Sequence, residues 1–196
     1  MPDPSLEIAV FKVTEADGFD ATQRSVHQQL STFPGYLESL PLRGRDDAAQ
    51  RVDLVLWARA DAAAEASETG RQDPRFAPFM SAIASVDHFH HYAGATPDAL
   101  AGLAEGAFVE VAAYAASEAT TALQSRAHDA LALADGAGAR IAGVGAGPER
   151  ADIIGWTSPE AFSAAPQALV AHDPGLSAFF EGVDTKHVFL LFAPVR

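Results

Sequence analysis

An acid and a tryptophan four residues apart occur twice in the chain and are the first candidates for chemistry. Asp53 and Trp57 belong to the stretch "DLVLW", and Asp152 and Trp156 belong to "DIIGW" in the other half of the chain. Residues at this spacing share one face of a β-strand. A carboxylate and a flat indole on one face could orient and hold an aromatic ligand.

A glutamine and a histidine, again four residues apart, precede each of these stretches. Gln23 and His27 lie before the first, and Gln124 and His128 lie before the second. At this spacing both side chains share one face of a helix. If that face looks onto the strand, an acid, an imidazole and an indole converge, and the imidazole could act as a general base near neutral pH.

The same residues also have a purely structural interpretation. His27 could be hydrogen-bonded at the edge of the apolar stripe of its helix, while Trp57 could simply fill the core. The sequence leaves both interpretations open.

Two other motifs suggest sites less strongly. His88 and His90 share a strand face in "DHFHHY", next to His91, but the other half keeps one histidine at most, so we expect polar filling of a strand and not a metal site. The glycine-rich segment "GAGARIAGVGAG" at 136–147 contains no G-x-G-x-x-G register, and we expect no nucleotide there.

Composition narrows the class of partner. The formal net charge of −13 disfavours nucleic acid and anionic membranes, and 48% hydrophobic residues supply a core. With no cysteine, disulfides and thiolate metal sites are excluded. The sequence has neither a signal-like segment nor a long uncharged apolar run, so we expect a soluble, cytoplasmic protein. The oligomeric state stays open, with a homodimer as one option.

The candidate residues lie within an internal repeat. Besides the pairs above, residues 6–11 match 109–114, Gly35 matches Gly136, and "DPRFAPF" matches "DPGLSAF", all in the same order. Each copy predicts strand, helix, strand, strand, helix, strand, which is the βαββαβ order of a ferredoxin-like α+β unit. We therefore predict a first unit at 5–93, a linker at 94–106 and a second unit at 107–195.

The strand at 53–57 indicates how the two units pack. Asp53, Val55 and Trp57 share one face and Leu54 and Leu56 share the other, so the strand is bulky or apolar on both sides. Helices cover only one face of a ferredoxin-like sheet. We therefore expect the two sheets to cover each other within the chain.

These repeated segments, above all a third strand ending in Trp57 or Trp156 and followed by an alanine-rich helix, resemble the antibiotic biosynthesis monooxygenase superfamily. Its members are single ferredoxin-like units that dimerise into an α/β barrel, so the resemblance implies two tandem units forming such a barrel within one chain. Asp53 and Asp152 replace the asparagine that lines a pocket in quinone-forming members. Ser67 and Pro166 occupy the iron-binding histidine position of haem-degrading members, which argues against haem.

The resemblance implies a cofactor-independent monooxygenase that acts on an aromatic or phenolic small molecule. We expect His27, Asp53 and Trp57 to be catalytic and Gln23, Tyr36, Trp156, His128 and Asp152 to bind substrate, with no metal and no cofactor. The first unit is favoured because the second has Ala137 for Tyr36 and Gly155 for Leu56. The alternative is a non-catalytic barrel that binds a small molecule or serves only as structure.

Overall fold

The computed structural model describes the backbone of residues 3–196 and all their side chains except those of 184–186. Each half of the chain folds into four strands and their helices. The first unit consists of β1 Ser5–Val13, α1 Phe19–Leu30, β2 Tyr36–Gly44, β3 Gln50–Trp57, α2 Ala60–Gln72, a 3-10 turn Pro74–Phe76, α3 Ala77–Ala82 and β4 Ile83–Tyr92.

The second unit repeats this order after a short helix. It consists of α4 Ala99–Ala104, β5 Phe108–Ala116, α5 Glu118–Leu131, β6 Ala137–Val144, β7 Glu149–Trp156, α6 Pro159–His172, a 3-10 turn Pro174–Leu176, α7 Ser177–Glu181 and β8 Val183–Pro194. The predicted α+β fold of two tandem ferredoxin-like units is confirmed. No helix among residues 3–196 is long and apolar enough to cross a membrane.

The eight strands form one antiparallel sheet in the order β4-β1-β3-β2-β8-β5-β7-β6. The two units join where Arg43 of β2 pairs with Ala193 of β8. At the other edge, Ala93 and Val144 exchange two backbone hydrogen bonds of 2.9 Å, which closes the sheet into a barrel. Since Ala93 and Val144 occupy the repeat positions of Ala193 and Arg43, the two junctions are equivalent.

The barrel interior is the shared core of the two units. Leu54 and Leu56 from β3 pack there with Ile153 from β7, which confirms the predicted face-to-face packing of the sheets. Leu100 and Leu103 of α4 also belong to this cluster, so the residues predicted as a linker contribute to the core.

The alternate residues of each strand face the helices. Val55 and Trp57 pack against alanines of α2, and Ile154 and Trp156 pack against residues of α5 and α6. The turn before β2 allows α2 to approach closely, because a Cβ on Gly35 would lie 2.5 Å from the Cβ of Ala62 and Gly35 has a φ of 81°.

Candidate functional site

A cavity of about 470 Å³ lies between the sheet and the helices of the first unit. Its polar lining includes Glu7 of β1 and Asp53 of β3, with the Trp57 indole nearby. Most of the remaining lining is apolar and includes Phe11, Val55, Phe76, Phe79 and Phe89. The strand alternation that sends Leu54 and Leu56 into the barrel therefore sends the acid and the indole into the cavity.

Gln23 and His27 of α1 contact the Asp53 carboxylate from outside the cavity. Gln23 Nε2 donates to Asp53 Oδ1 at 2.7 Å and to the Val52 carbonyl oxygen at 3.2 Å. His27 Nε2 lies 2.7 Å from the same Oδ1 atom. Gln23 and His27 therefore meet at Oδ1 of Asp53 and fix this atom in place. Of the predicted acid, imidazole and indole, Asp53 and Trp57 line the cavity, while the imidazole contacts the acid and is not part of the cavity lining.

The other ring nitrogen of His27 is also bonded. Nδ1 lies 2.7 Å from the Ser39 hydroxyl, which lies 2.8 Å from the Tyr36 hydroxyl. One consistent proton arrangement has His27 donating to the carboxylate and accepting from Ser39. In this arrangement Gln23, His27 and Tyr36 lie behind Asp53, and Tyr36 packs edge-on against Trp57 with ring centroids 6.1 Å apart.

A buried arginine orients Gln23. Arg51 is fully buried, forms an ion pair with Asp20, and has Nη1 3.5 Å from Gln23 Oε1. Its guanidinium also lies over the Phe19 ring, 5.2 Å from the centroid. Because a guanidinium can only donate, the carbonyl end of the Gln23 amide turns toward Arg51 and the NH₂ end turns toward Asp53.

Glu7 is the second carboxyl group of the cavity, and its acidity is strongly perturbed. Burial raises the pKa of Glu7 to about 7, and the nearby charge of Asp53 acts in the same direction. The Trp57 indole has a smaller, opposing effect on this pKa. Near neutral pH a fraction of the Glu7 carboxyl is therefore ionised, and this ionised form can accept a proton.

The second unit repeats the site with both carboxylate oxygens of its aspartate hydrogen-bonded. Gln124 Nε2 donates to Asp152 Oδ1 at 2.8 Å, and His128 Nε2 lies 2.6 Å from the same atom. Tyr114 donates to Asp152 Oδ2 at 2.6 Å. The cavity here measures about 120 Å³, so the second site is smaller than the first. Its aspartate is already hydrogen-bonded within the protein.

Glu110 is the counterpart of Glu7 in the second unit. Trp156 Nε1 donates to Glu110 Oε2 at 2.9 Å. Burial raises the pKa of Glu110 to about 7, the indole hydrogen bond opposes this rise, and the charge of Asp152 adds to it. Both units thus place a neutralisable glutamate beside a strand tryptophan.

The larger cavity belongs to the first unit, although not for the reason that the sequence suggested. Leu56 points into the barrel interior and Tyr36 contacts Ser39 behind Asp53, so neither shapes the cavity directly. The positions that align with the iron-binding histidine of haem-degrading proteins do border the cavities. Ser67 lines the first and Pro166 lines the second, and neither side chain carries an imidazole.

His88 and His90 of β4 form a separate cluster, whereas His91 Nε2 lies 3.8 Å from Glu7 Oε2 of the candidate site. His88 is buried, with Nε2 2.9 Å from the Tyr92 hydroxyl, and its ring stacks on His187 of the second unit and lies tilted by 30° against His90. The pKa of His88 is lowered to about 4, chiefly by burial and also by the charges of His90 and His187, while the charge of Glu149 opposes the change. Within the described residues, no group of three or more His, Cys, Asp or Glu could hold a metal ion.

Glu7, Glu110 and Tyr114 were not recognised from the sequence, and neither were Ser39 and Arg51, which contact His27 and Gln23. The two glutamates do carry a signal, since both interrupt an apolar first strand at matching positions of the repeat. Tyr114 carries none, because its counterpart Phe11 makes the pair look like interchangeable core aromatics.

Comparison with known proteins shows the fold alone. No protein-family model matches the sequence, and no curated protein is significantly similar to it. An anthrone oxidase-like protein has a similar structure, with a TM-score of 0.68, 14% identity, and coverage of 99% of this chain and 92% of that chain. The chain shares the α/β-barrel fold of this protein.

Two further structures extend this likeness over the whole chain. A candidate monooxygenase of Fusobacterium nucleatum has a TM-score of 0.68 at 7% identity, with coverage of 100% of this chain and 94% of that chain. Chlorite dismutase of Candidatus Nitrospira defluvii, solved with imidazole, has a TM-score of 0.60 at 14% identity, with coverage of 97% and 90%. At such identities the monooxygenase-type barrel is a shared fold that does not fix a substrate.

Proposed function

We propose that the chain is a cofactor-independent monooxygenase, an oxidoreductase that acts on an aromatic or phenolic small molecule in the first unit. The observation that carries this proposal is the cavity of about 470 Å³ in which Glu7, Asp53 and Trp57 meet within otherwise largely apolar surroundings. Ligand sites are typically concave and apolar, with a few convergent polar groups. The monooxygenase-type fold is consistent with this activity.

Glu7 is the proton acceptor in this proposal. Its pKa of about 7 leaves a useful fraction of carboxylate at neutral pH, and its removal of a proton from the substrate makes an electron-rich anion. That anion reacts with O₂ in a cavity from which water is largely excluded. When a ring CH₂ becomes C=O, one oxygen atom enters the product and the other leaves as water, with all four electrons supplied by the substrate.

The other candidate residues orient the substrate or hold the groups that do. Asp53 contacts the substrate and Trp57 supplies a flat surface for its ring. Gln23 and His27 act through Asp53, whose Oδ1 atom they fix, and Tyr36 supports His27 through Ser39. Asp152, His128 and Trp156 form the corresponding site of the second unit, where the smaller cavity leaves room only for a small ligand.

The alternative function is a barrel without turnover, and the second unit favours it. There Asp152 is hydrogen-bonded at both carboxylate oxygens and Glu110 is bonded to Trp156, so the polar groups have a complete structural role. In the first unit the equivalent residues would then stabilise the fold without binding a substrate.

Oxygen uptake separates the two functions. We expect the wild-type protein to consume O₂ with at least one member of a panel of phenols and anthrones, and Glu7→Gln to lose this uptake while it keeps the fold. Uptake by the wild type that equals the protein-free rate across the whole panel would favour the non-catalytic barrel.

A further inference from the structure

Phe11 and Tyr114 occupy the same place in the two units. Phe11 pairs with Arg51 on β3, and Tyr114 pairs with Arg150 on β7. Both rings are buried and packed edge-on against a phenylalanine of the short helix that precedes the last strand of the unit. Phe11 lies 5.5 Å from Phe79 at an interplanar angle of 73°, and Tyr114 lies 6.2 Å from Phe179 at 83°.

The two units therefore differ at this position by one hydroxyl group. In the second unit that hydroxyl donates to Asp152 Oδ2 at 2.6 Å, while Oδ1 receives Gln124 and contacts His128. In the first unit Oδ1 of Asp53 receives the equivalent pair, but Phe11 has no hydroxyl to offer. Among the residues whose side chains are described, Asp53 Oδ2 has no hydrogen-bond donor, and Asp53 lines the larger cavity.

The Asp53 side chain is largely buried and lines a mostly apolar cavity, where a carboxylate oxygen is solvated less well than in bulk water. A ligand hydroxyl would supply the hydrogen-bond donor that no described side chain gives to Oδ2. Tyr114 is itself a phenol, so the second unit displays the contact that such a ligand would make. Burial and the charge of Asp152 both raise the pKa of Tyr114, which keeps its hydroxyl protonated as a donor.

We infer that Asp53 Oδ2 accepts the hydroxyl of a neutral hydroxyaromatic ligand, at the position that Tyr114 fills in the second unit. The residue at position 11 or 114 then decides which unit binds: phenylalanine leaves the acceptor open and tyrosine occupies it. This inference rests on the proposed function for the aromatic class of ligand, but it concerns binding and needs no turnover. Anionic aromatics are disfavoured, because Glu7 and Asp53 both carry negative charge when ionised and Arg71, the cation that also lines the cavity, is paired with Glu68.

Wild-type protein tests the inference first, with 1-naphthol and naphthalene as a pair of probes that differ by the hydroxyl. We expect calorimetry to give one 1-naphthol per chain, bound at least about tenfold more tightly than naphthalene. The two tryptophans supply two indole N–H resonances. Bound 1-naphthol should shift that of Trp57 and leave that of Trp156 in place, with the assignment made in Trp156→Phe.

Substitutions at the deciding position supply matched variants. Phe11→Tyr places a hydroxyl where the ligand hydroxyl would bind, and we expect 1-naphthol affinity to fall at least about tenfold. Phe11→Leu removes the aromatic ring without adding a hydrogen-bond donor. This variant should therefore still prefer 1-naphthol over naphthalene. Tyr114→Phe opens Asp152, and phenol, which suits the cavity of about 120 Å³, should then shift the Trp156 resonance.

Three results would overturn the inference. They are equal affinity of the wild type for both probes, undiminished 1-naphthol binding by folded Phe11→Tyr, and a Trp156 resonance that phenol leaves unmoved in folded Tyr114→Phe. If Phe11→Tyr does not fold, the probe comparison in the wild type and in Phe11→Leu still decides. Binding as expected without any oxygen uptake would contradict the proposed function and leave this inference standing.

Discussion

The Trp156 indole donates a 2.9 Å hydrogen bond to the Glu110 carboxylate, whereas the equivalent indole of the first unit is not paired in this way. Trp57 Nε1 is buried and, among the described residues, has no hydrogen-bond partner of normal geometry. The indole nevertheless acts on Glu7 by lowering its pKa, against the larger effect of burial. The first unit therefore has an indole N–H without a partner of normal geometry beside Glu7, whose Oε2 lies 3.8 Å from His91 Nε2, whereas in the second unit the indole and the glutamate are hydrogen-bonded to each other.

Trp57→Phe and Trp156→Phe should therefore have different effects. Trp156→Phe breaks a buried hydrogen bond to Glu110, and we expect it to lower the free energy of unfolding by about 1–3 kcal/mol more than Trp57→Phe does. Trp57→Phe should weaken binding of 1-naphthol, because it removes ring area from the larger cavity. Urea unfolding and calorimetry check the pair; equal stability losses combined with unchanged ligand affinity in Trp57→Phe would contradict this assignment.

Asp53→Asn should reverse the hydrogen-bonding preference of the cavity. The carbonyl oxygen of the introduced amide is expected to take the Oδ1 position, which receives the Gln23 donor. The amide NH₂ then lies at the Oδ2 position, so a hydrogen-bond donor stands where the wild type has an acceptor. Affinity for 1-naphthol should fall about tenfold, while affinity for the ketone 1-tetralone should rise. Calorimetry with both probes measures this, with Asp152→Asn as the matched variant of the closed site. A parallel loss of both affinities would instead indicate general damage to the cavity.

Glu7→Gln should change the pH dependence of oxygen uptake. In the wild type the rate should rise with pH as Glu7 ionises around its pKa of about 7, because only the carboxylate accepts a proton. The glutamine variant should be slower by about 100-fold or more and should lack this rise. Glu110→Gln is the matched control, and its profile should keep the wild-type shape. A variant profile with the same rise would assign the proton acceptor elsewhere.

His88→Val, which installs the residue found at position 188, should reduce the loss of stability in acid. The pKa of His88 is lowered from 6.5 to about 4, so between these values the unfolded chain binds a proton that the folded protein does not. Stability therefore falls as the pH drops through this window, by about 1–3 kcal/mol from this residue. Urea unfolding at pH 7 and pH 4.5 should show a smaller difference in the variant; an unchanged difference would assign the acid sensitivity to other groups.

The fold was predictable because its signals are repeated and periodic. Matching segments in both halves identified the duplication, and the two-sided character of residues 53–57 predicted that the sheets face each other. The closure through Ala93 and Val144 was not predictable, since it consists of two backbone hydrogen bonds that any side chain permits.

The parts of the site that consist of residues four positions apart were predictable. The parts that depend on a single residue without a spacing pattern were poorly predictable. Spacing brought Gln23, His27 and Asp53 together correctly, but it could not show that His27 lies behind the carboxylate. Glu7 was missed because one acid in a strand is usually solvated, and its perturbed pKa depends on burial that only the packed helices create. The role of Tyr114 depends on a single oxygen atom and on a neighbour 38 residues away.

The most direct test of the proposed monooxygenase activity is oxidation of anthrone under ¹⁸O₂ by protein shown to be free of metal and flavin. We expect anthraquinone formation above the protein-free rate, one ¹⁸O atom in each product molecule, and loss of this activity in Glu7→Gln. Anthraquinone formed at the protein-free rate, or at equal rates by the wild type and folded Glu7→Gln, would contradict it.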